Sequence, residues 1–362
     1  MTFADSRRTP WWSWTWPTLG LLILVVHFIH GPSSLLVGAD FFALVATVFA
    51  AVYHAEVAAL RVGEPFGTLL LALAVTIIEV ALIVSVMIAG GTETANLARD
   101  TLFAAVMIVC NGIIGTCLLA GGLRHHEQAF QLRGANAALS VLIALTTLTL
   151  VFPNVTTTTG GATFSRSQLA FAAIVSLILY GSFLFVQTVR HRDYFLLVDG
   201  DGEAAHAPPP PNKVTLVSAG LLLVSLVIVV GLAKVLTPTV EHGIEAVGAP
   251  KNVVGIIIAA LVLLPESLAA YRAATANRLQ TSVNLALGSA LASIGLTIPA
   301  VASISLLLGK PLTLGLDPKE EVLLALTFVV SVLTLGTGRT TVLQGMVHVI
   351  IFAIFLFLAV TP

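Results

Sequence analysis

Long apolar stretches follow one another along almost the whole chain. Windows of roughly 20 apolar residues, the length that crosses a bilayer as a helix, predict eleven membrane spans. Their predicted limits are 15–36, 39–60, 66–90, 99–121, 134–152, 167–189, 214–235, 251–274, 281–308, 320–336 and 341–361. Backbone polar groups inside hydrocarbon must find partners within the chain, which favours helices for such segments. The sequence therefore predicts an all-α polytopic membrane protein with about eleven transmembrane helices.

Composition excludes several other classes of protein. Of the 362 residues, 57% are hydrophobic and only 10% are charged, which leaves too little polar surface for a soluble domain. The formal net charge of -1 gives no indication of a nucleic-acid partner. Cys110 and Cys117 lie in one predicted span, so neither a disulfide framework nor a zinc site follows. We expect no cofactor, and the expected partners are the lipid bilayer, inorganic cations and protons.

One clearly polar segment divides the chain. Residues 190–213 contain Asp193, Asp199, Asp201 and Glu203, followed by a run of four prolines that forms a stiff spacer. The sequence pattern predicts four parts, namely an N-terminal segment with the first helix at 1–38, a first half at 39–189, a linker at 190–213 and a second half at 214–362.

Two glutamates occupy matched places in the two halves. Glu79 lies in the third predicted span and Glu266 in the eighth, and each follows a glycine, Gly67 or Gly255, by about three helical turns. Spans that are five apart cross the membrane in opposite directions. The pattern is typical of the inverted-topology repeats of secondary transporters, with the binding site at the midplane. It predicts one N-terminal helix plus two inverted five-helix repeats.

Carboxylates at this depth indicate a role with ions. A charged side chain at the bilayer centre costs about 3 kcal/mol on insertion scales, so such residues usually serve ion or proton pathways. If Glu79 and Glu266 face each other, mutual repulsion and desolvation favour their protonated forms, whereas a divalent cation neutralises both carboxylates. Cations and protons then compete for the same oxygens, which is the basis of antiport. The alternative is that each glutamate bonds only to a neighbouring helix.

Further ligands would be needed to complete a cation site. Ca²⁺ takes six to eight oxygens, and two glutamates supply at most four. Candidates are Asn111, Ser289, Ser293 and Thr76, because Ser289 and Ser293 share a helix face and Thr76 shares the face of Glu79. Asn111 is equally consistent with a bond between helices, and the two serines with helix packing. His27 and His30, in the first span, are interpreted as lipid-facing or interfacial side chains.

Basic residues predict the orientation. With eleven spans, more Lys and Arg lie on the side of the N-terminus (Arg7, Arg8, Arg61, Arg124, Arg133, Arg190, Arg192, Lys213, Arg272, Arg278, Arg339) than on the other side (Arg99, Arg166, Lys234, Lys251, Lys310, Lys319). The positive-inside rule places the N-terminus and the linker in the cytoplasm and the C-terminus outside. We expect a multi-pass protein of the inner (cytoplasmic) membrane.

Two segments resemble a known family. Residues 63–68 (GEPFGT) leading into 74–83 (AVTIIEVALI), and 264–267 (LPES) followed by 284–290 (NLALGSA), are similar to the two repeats of ChaA-type calcium/proton antiporters of the cation/calcium exchanger superfamily. The resemblance implies that the chain exchanges cytoplasmic Ca²⁺, or in this branch Na⁺ or K⁺, for protons. It also implies that Glu79 and Glu266 bind the cation. Asn111 resembles a polar position of the first repeat, with Ser289 or Ser293 as its counterpart in the second.

One departure from the superfamily concerns selectivity. The Gly-Asn pair that precedes the glutamate in plant and fungal exchangers is replaced by residues 75–78 and 263–265, which leaves the coordination shell and the choice of cation open. The expected function is Ca²⁺/H⁺ antiport, with Na⁺(K⁺)/H⁺ antiport as the alternative. An intramembrane enzyme would need a nucleophile or metal motif, and none appears in the sequence. A passive channel would need no protonatable pair.

Overall fold

The computed structural model describes residues 9–63, 66–89, 95–195, 210–246, 248, 250, 252–309 and 312–361. These residues form eleven long helices. They are α1 (Trp11–His30), α2 (Ser34–Val62), α3 (Phe66–Ala89), α4 (Leu97–His125), α5 (Leu132–Val155), α6 (Arg166–Arg190), α7 (Asn212–Ala246), α8 (Asn252–Thr275), α9 (Leu279–Leu308), α10 (Pro318–Leu335) and α11 (Val342–Val360).

The predicted fold class is confirmed, and each predicted span corresponds to one helix. Nine helices of the described chain are long and apolar enough to cross a membrane. Of the other two, α3 has a shorter described apolar stretch, Leu70–Ser85, and α10 carries Lys319, Glu320 and Glu321 in its first turn. Most of the predicted linker, residues 196–209, lies outside the described residues.

Helix ends follow local sequence signals. Capping boxes begin α6, α10 and α11, where the side chains of Ser165, Asp317 and Thr341 accept from the backbone three residues on. The helix α7, at 35 residues, continues well beyond the predicted limit of 235. The apolar run ends near Thr237 and Pro238, but the helix continues through this proline to Ala246, and the Thr237 hydroxyl donates to the Ala233 carbonyl at 2.8 Å.

Three π-helical turns interrupt the long helices. They lie at Ile108–Ile113 in α4, Thr147–Val151 in α5 and Val186–Arg190 in α6. A π-helical turn accommodates one additional residue and is often found at functional sites, because it changes the direction in which nearby side chains and carbonyls point. The turn in α4 contains Asn111, one of the predicted site residues.

The helices pack as two compact units, each with its own core. The first unit contains α1, α2, α3 and α7, and the second contains α4, α5, α6, α8, α9, α10 and α11. Helices from both sequence halves therefore occur in each unit. The proposed repeat relation between the halves stays a prediction from the sequence.

In the first unit, α2 packs along α1, α3 and α7. A buried polar pair joins α1 to α2, where His27 Nδ1 lies 2.6 Å from Asp40 Oδ2. His27 is buried, so the expectation that it faces lipid or the interface is wrong. Its pairing with Asp40 supplies the reason, because an isolated ionised side chain in an apolar interior would be far more costly.

In the second unit, α4 is the central helix and is almost entirely buried. It contacts α8 and α11, while α9 packs against α5, α6 and α8. Gly255 makes the approach of α8 to α4 possible, because a Cβ atom at that position would lie 2.8 Å from the backbone of Asp100. Small residues thus bring the helix that carries Glu266 close to the helix that carries Asn111.

The two ends of the second unit are closed differently. At one end, here called the sheet end, the strands β1 (Glu127–Ala129) and β2 (Arg339–Thr341) pair in antiparallel fashion. At the same end, Gln128 Nε2 donates to Ala274 O at 2.9 Å. At the opposite loop end, the backbone amide of Thr313 donates to Ala95 O and that of Gly315 to Ala162 O. Successive helices of this unit therefore run in alternating directions, as expected for membrane spans.

Candidate functional site

Glu79 lies in the first unit, near the middle of the 24-residue helix α3. Only 2% of its surface is exposed, and Thr76, one turn earlier, is buried on the same side. Leu73 and Ile77 are exposed on the other side of the helix. The carboxyl group is therefore directed into the protein and not towards lipid, which is the usual arrangement of an ionisable residue that serves a polar pathway.

Glu266 lies in the second unit, near the middle of the 24-residue helix α8. It is half-buried and shares a helix face with Val262 and Ala270, both of which are buried. Leu264 and Leu268 are exposed on other faces. Each predicted glutamate therefore lies near the centre of its own helix and on a side that faces protein.

Asn111 lies in the π-helical turn of α4 and is fully buried. This turn contacts α8, which carries Glu266, and α9, which carries both predicted serines, as well as α10 and α11. The predicted site residues of the second unit thus lie on elements that meet around one π-helical turn.

Asn111 uses both ends of its amide group. Its Nδ2 donates to Thr327 Oγ1 of α10 at 2.9 Å, and its Oδ1 lies 3.0 Å from His348 Nδ1 of α11. The predicted alternative, a bond between helices, is therefore realised. A carbonyl oxygen has two lone pairs, so the Oδ1 atom can accept from His348 and still offer one lone pair to a cation.

The two serines differ in burial. Ser289 is half-buried, whereas Ser293, one turn later on the same face of α9, is 3% exposed. A Cβ atom on Gly288, the residue before Ser289, would meet no other atom within 4 Å. In the second unit the structure brings the helices of Glu266, Asn111, Ser289 and Ser293 together. Thr76 and Glu79 lie together in the first unit.

Sequence reasoning missed His348 and Thr327, which bond to Asn111, and Thr334, which bonds to His348. His348 is fully buried in α11, and its Nε2 lies 3.1 Å from Thr334 Oγ1. The available signal was an ionisable residue inside the last apolar span, the same signal that identified the glutamates. Within the described residues, no three His, Cys, Asp or Glu side chains come together as a metal site.

Comparison with known proteins identifies the family. The sequence profile described as sodium/calcium exchanger protein matches residues 22–189 and 217–361. This chain belongs to the sodium/calcium exchanger family. The resemblance found in the two glutamate segments is thereby confirmed.

Relatives of this exchanger cover its whole length. The y4hA protein of Sinorhizobium fredii, named as a candidate ionic transporter, is 50% identical over 363 residues, which is 99% of this chain and 98% of that protein. The sodium-potassium/proton antiporter ChaA of Escherichia coli is 36% identical over 345 residues, 93% of each chain. A crystal structure of the Ca²⁺/H⁺ antiporter protein YfkE superposes with a TM-score of 0.73 at 17% identity, covering 97% of this chain and 99% of the other, which shows a shared fold.

Family membership fixes the general activity of this exchanger. It is a multi-pass membrane protein and a cation antiporter, as members of this family are transporters.

Proposed function

We propose that this exchanger moves cytoplasmic Ca²⁺ outwards in exchange for protons, with Glu79 and Glu266 together binding first the cation and then protons. The observation that carries the proposal is the placement of these two residues. Each is the glutamate near the middle of a 24-residue membrane helix, and neither lies on a face made of exposed apolar side chains.

The energy of a charged site explains how exchange is coupled. Two ionised carboxylates without a cation repel each other and resist desolvation, so the empty charged site is disfavoured. One Ca²⁺ or two protons neutralise the pair. The site can change from opening on one side of the membrane to opening on the other only when its two carboxylates are neutralised. Each cation that leaves is therefore replaced by protons. The long first spans of the two repeats then slide or rock against a more rigid bundle to alternate access to the site.

Oxygen ligands from four other side chains complete the proposed site. Asn111, Ser289 and Ser293 offer amide and hydroxyl oxygens on elements that pack around the π-helical turn, and Thr76 offers a hydroxyl one turn before Glu79. Hard cations such as Ca²⁺ prefer ligands of this kind. Backbone carbonyls and water would supply the remaining positions.

A second candidate activity is Na⁺(K⁺)/H⁺ antiport at the same site. The observation that favours it is the name of the 36% identical relative from Escherichia coli, a sodium-potassium/proton antiporter. A monovalent cation neutralises only one carboxylate, so the second glutamate would hold a proton throughout. The two activities therefore differ in the number of protons that each cation releases.

The distribution of basic residues supports the proposed orientation in the cytoplasmic membrane. The sheet end of the second unit carries seven basic residues, namely Arg124, Arg133, Arg190, Arg192, Arg272, Arg278 and Arg339. The described loop end carries three, namely Arg99, Arg166 and Lys319. The positive-inside rule assigns the sheet end to the cytoplasm. This assignment agrees with a cytoplasmic N-terminus and an external C-terminus.

Transport in proteoliposomes tests the proposed function. Purified exchanger is reconstituted with a pH-sensitive dye inside, and Ca²⁺, Na⁺ or K⁺ is added outside in turn at a fixed pH difference. Ca²⁺ should move protons at the lowest concentration, and Na⁺ should compete only weakly. Proton movement with Na⁺ or K⁺ at lower concentrations than with Ca²⁺ would establish the second activity. Equal leakage of all ions without a pH change would contradict antiport altogether.

The variants Glu79→Gln and Glu266→Gln provide the site test in the same assay. Glutamine keeps the size of the side chain but cannot take up or release a proton, so exchange should be lost in each variant. Glu127→Gln is the matched control, because Glu127 is exposed on β1 and pairs only at 3.6 Å with Arg339. Normal exchange by either of the first two variants would refute the proposed site.

A further inference from the structure

A continuous chain of buried polar side chains passes through Asn111. It begins at Thr334 in α10, continues through His348 in α11 to Asn111 in α4, and then returns to Thr327 in α10. Thr327 Oγ1 in turn lies 3.4 Å from Met107 Sδ. All of these side chains are buried, and the contacts join three helices of the second unit.

The direction of each hydrogen bond follows from the chemistry of the groups. The Oδ1 atom of Asn111 can only accept, so Nδ1 of His348 must carry the proton and donate. In a neutral imidazole Nε2 is then an acceptor, and the Thr334 hydroxyl donates to it. On the other side, Asn111 Nδ2 donates to Thr327 Oγ1, whose hydroxyl proton is directed to the Met107 sulfur. With the amide in this orientation, the Asn111 oxygen accepts from His348, and its Nδ2 donates to Thr327 Oγ1 and also lies 3.8 Å from Met107 Sδ.

His348 is held against α4 by close helix packing. A Cβ atom on Gly115 would lie 2.8 Å from His348 Cβ, so the absence of a side chain at Gly115 is what allows α11 to approach here. The ring also occupies a buried position with hydrogen bonds at both nitrogens. The imidazole therefore has little freedom to move, whereas a free asparagine amide could rotate by half a turn and exchange its oxygen for its nitrogen.

We propose that His348 is a positioning residue for cation transport, which fixes the Asn111 amide with its oxygen available as a ligand. The inference depends on the proposed function in one respect only, namely that Asn111 contributes an oxygen to the transported cation. His348 acts through Asn111 and does not itself touch the ion. Residues that orient metal ligands in this way commonly change metal affinity by about 10–100-fold when replaced.

Two conservative substitutions distinguish the contribution of His348 Nδ1, which contacts Asn111, from that of Nε2, which contacts Thr334. In His348→Asn the amide nitrogen lies as many bonds from the backbone as Nδ1, so a donor to Asn111 Oδ1 is retained. In His348→Gln the amide group reaches the position of Nε2, where its oxygen can accept from the Thr334 hydroxyl as Nε2 does, and the donor to Asn111 Oδ1 is lost. The measurement is the initial rate of Ca²⁺-driven proton movement in proteoliposomes across a range of Ca²⁺ concentrations.

We expect His348→Gln to raise the half-saturating Ca²⁺ concentration about 10-fold with a maximal rate close to that of the unaltered protein. His348→Asn should stay within about 3-fold of the unaltered protein, because the donor persists. In an Asn111→Ala background, which itself raises the half-saturating concentration, His348→Gln should add nothing further, since coupled residues are not additive. A purely structural role would lower the maximal rate and the thermal stability of both variants without this pattern.

Several outcomes would overturn the inference. One is equal half-saturating concentrations for His348→Gln and His348→Asn, and another is an unchanged value for Asn111→Ala. The second result would leave the role of Glu79 and Glu266 intact, because the glutamine variants of those residues test that role separately. If His348→Gln does not fold, His348→Met takes its place, because methionine has a similar volume and also lacks the donor to Asn111 Oδ1, and it should raise the half-saturating concentration in the same way. An unaltered concentration in His348→Met would then contradict the proposal.

Discussion

The Nδ1 atom of His348 lies 3.0 Å from the Oδ1 atom of Asn111, although the two residues are 237 positions apart in the sequence. This contact joins the last helix of the chain to the π-helical turn of α4. It shows that a predicted site residue is already held by a second residue, which the sequence pattern did not identify. The orientation of one candidate ligand is thus set by distant parts of the chain.

Removing the hydroxyl of Thr334 should weaken this arrangement without changing the core volume greatly. In Thr334→Val the Nε2 atom of His348 loses its donor, and a buried acceptor without a partner costs about 1–3 kcal/mol. We expect a lower midpoint of thermal unfolding in detergent. Thr281→Val is the control, because Thr281 is exposed near the start of α9, and it should leave the midpoint unchanged. Equal midpoints for the two variants would contradict a stabilising hydrogen bond between Thr334 and His348.

A methyl group on Gly115 should separate α4 from α11. Its Cβ atom would lie 2.8 Å from His348 Cβ, and overpacking of this kind costs about 1–3 kcal/mol. Gly115→Ala should therefore lower both the thermal midpoint and the apparent cation affinity in transport. The matched control is Gly181→Ala in α6, where a new Cβ atom meets nothing within 4 Å and alanine favours the helix. A Gly115→Ala protein as stable as the control would show that the helices do not approach this closely.

An ion pair at the loop end of the second unit should be essential to its stability. Arg99 Nε donates to Asp100 Oδ1 at 2.8 Å, and both side chains are buried. Arg99→Met leaves the carboxylate without its nearest cation, and breaking a buried pair in this way costs about 3–5 kcal/mol. The double variant Arg99→Met/Asp100→Leu should recover part of the loss of thermal stability. A double variant less stable than Arg99→Met would argue against a dominant role for this pair.

Much of the architecture could be predicted because membrane helices leave a local signal. Each apolar window of about 20 residues is visible in the sequence without knowledge of its neighbours. The same holds for Glu79 and Glu266, since an acidic residue in the middle of an apolar stretch is conspicuous wherever it packs. For these features the structure added exact limits, such as the longer end of α7, where the helix continues through Pro238.

Other features depend on contacts that no local pattern records. The His27–Asp40 pair and the chain from Thr334 to Thr327 are formed between helices, so the partner of each polar residue cannot be read from its own segment. The π-helical turns also lack a simple signature, because an extra residue changes the phase of the helix without changing its composition. The division into two units follows from the same long-range packing.

Bound cation should stabilise the folded exchanger, and the size of the effect should identify the preferred ion. A ligand at about 100 times its dissociation constant stabilises a protein by about 2.7 kcal/mol. We expect Ca²⁺ to raise the thermal midpoint at lower concentrations than Na⁺ or K⁺, and the shift to disappear in Glu266→Gln. Larger shifts with Na⁺ or K⁺ would assign the site to monovalent cations. The Glu127→Gln protein should behave as the unaltered protein does, since Glu127 is exposed on β1.

Proton release on cation binding tests the proposed role of Glu79 and Glu266 most directly. Ca²⁺ is added to purified exchanger in weakly buffered detergent solution at a pH where the site is protonated, and the change in pH is recorded for the unaltered protein, Glu79→Gln and Glu266→Gln. The proposal has cation and protons competing for the same carboxylates, so it predicts that the unaltered protein releases up to two protons for each Ca²⁺ bound and needs more Ca²⁺ as the pH falls. Each glutamine variant should bind weakly and release fewer protons. Release of the same number of protons by both variants as by the unaltered protein would contradict the account.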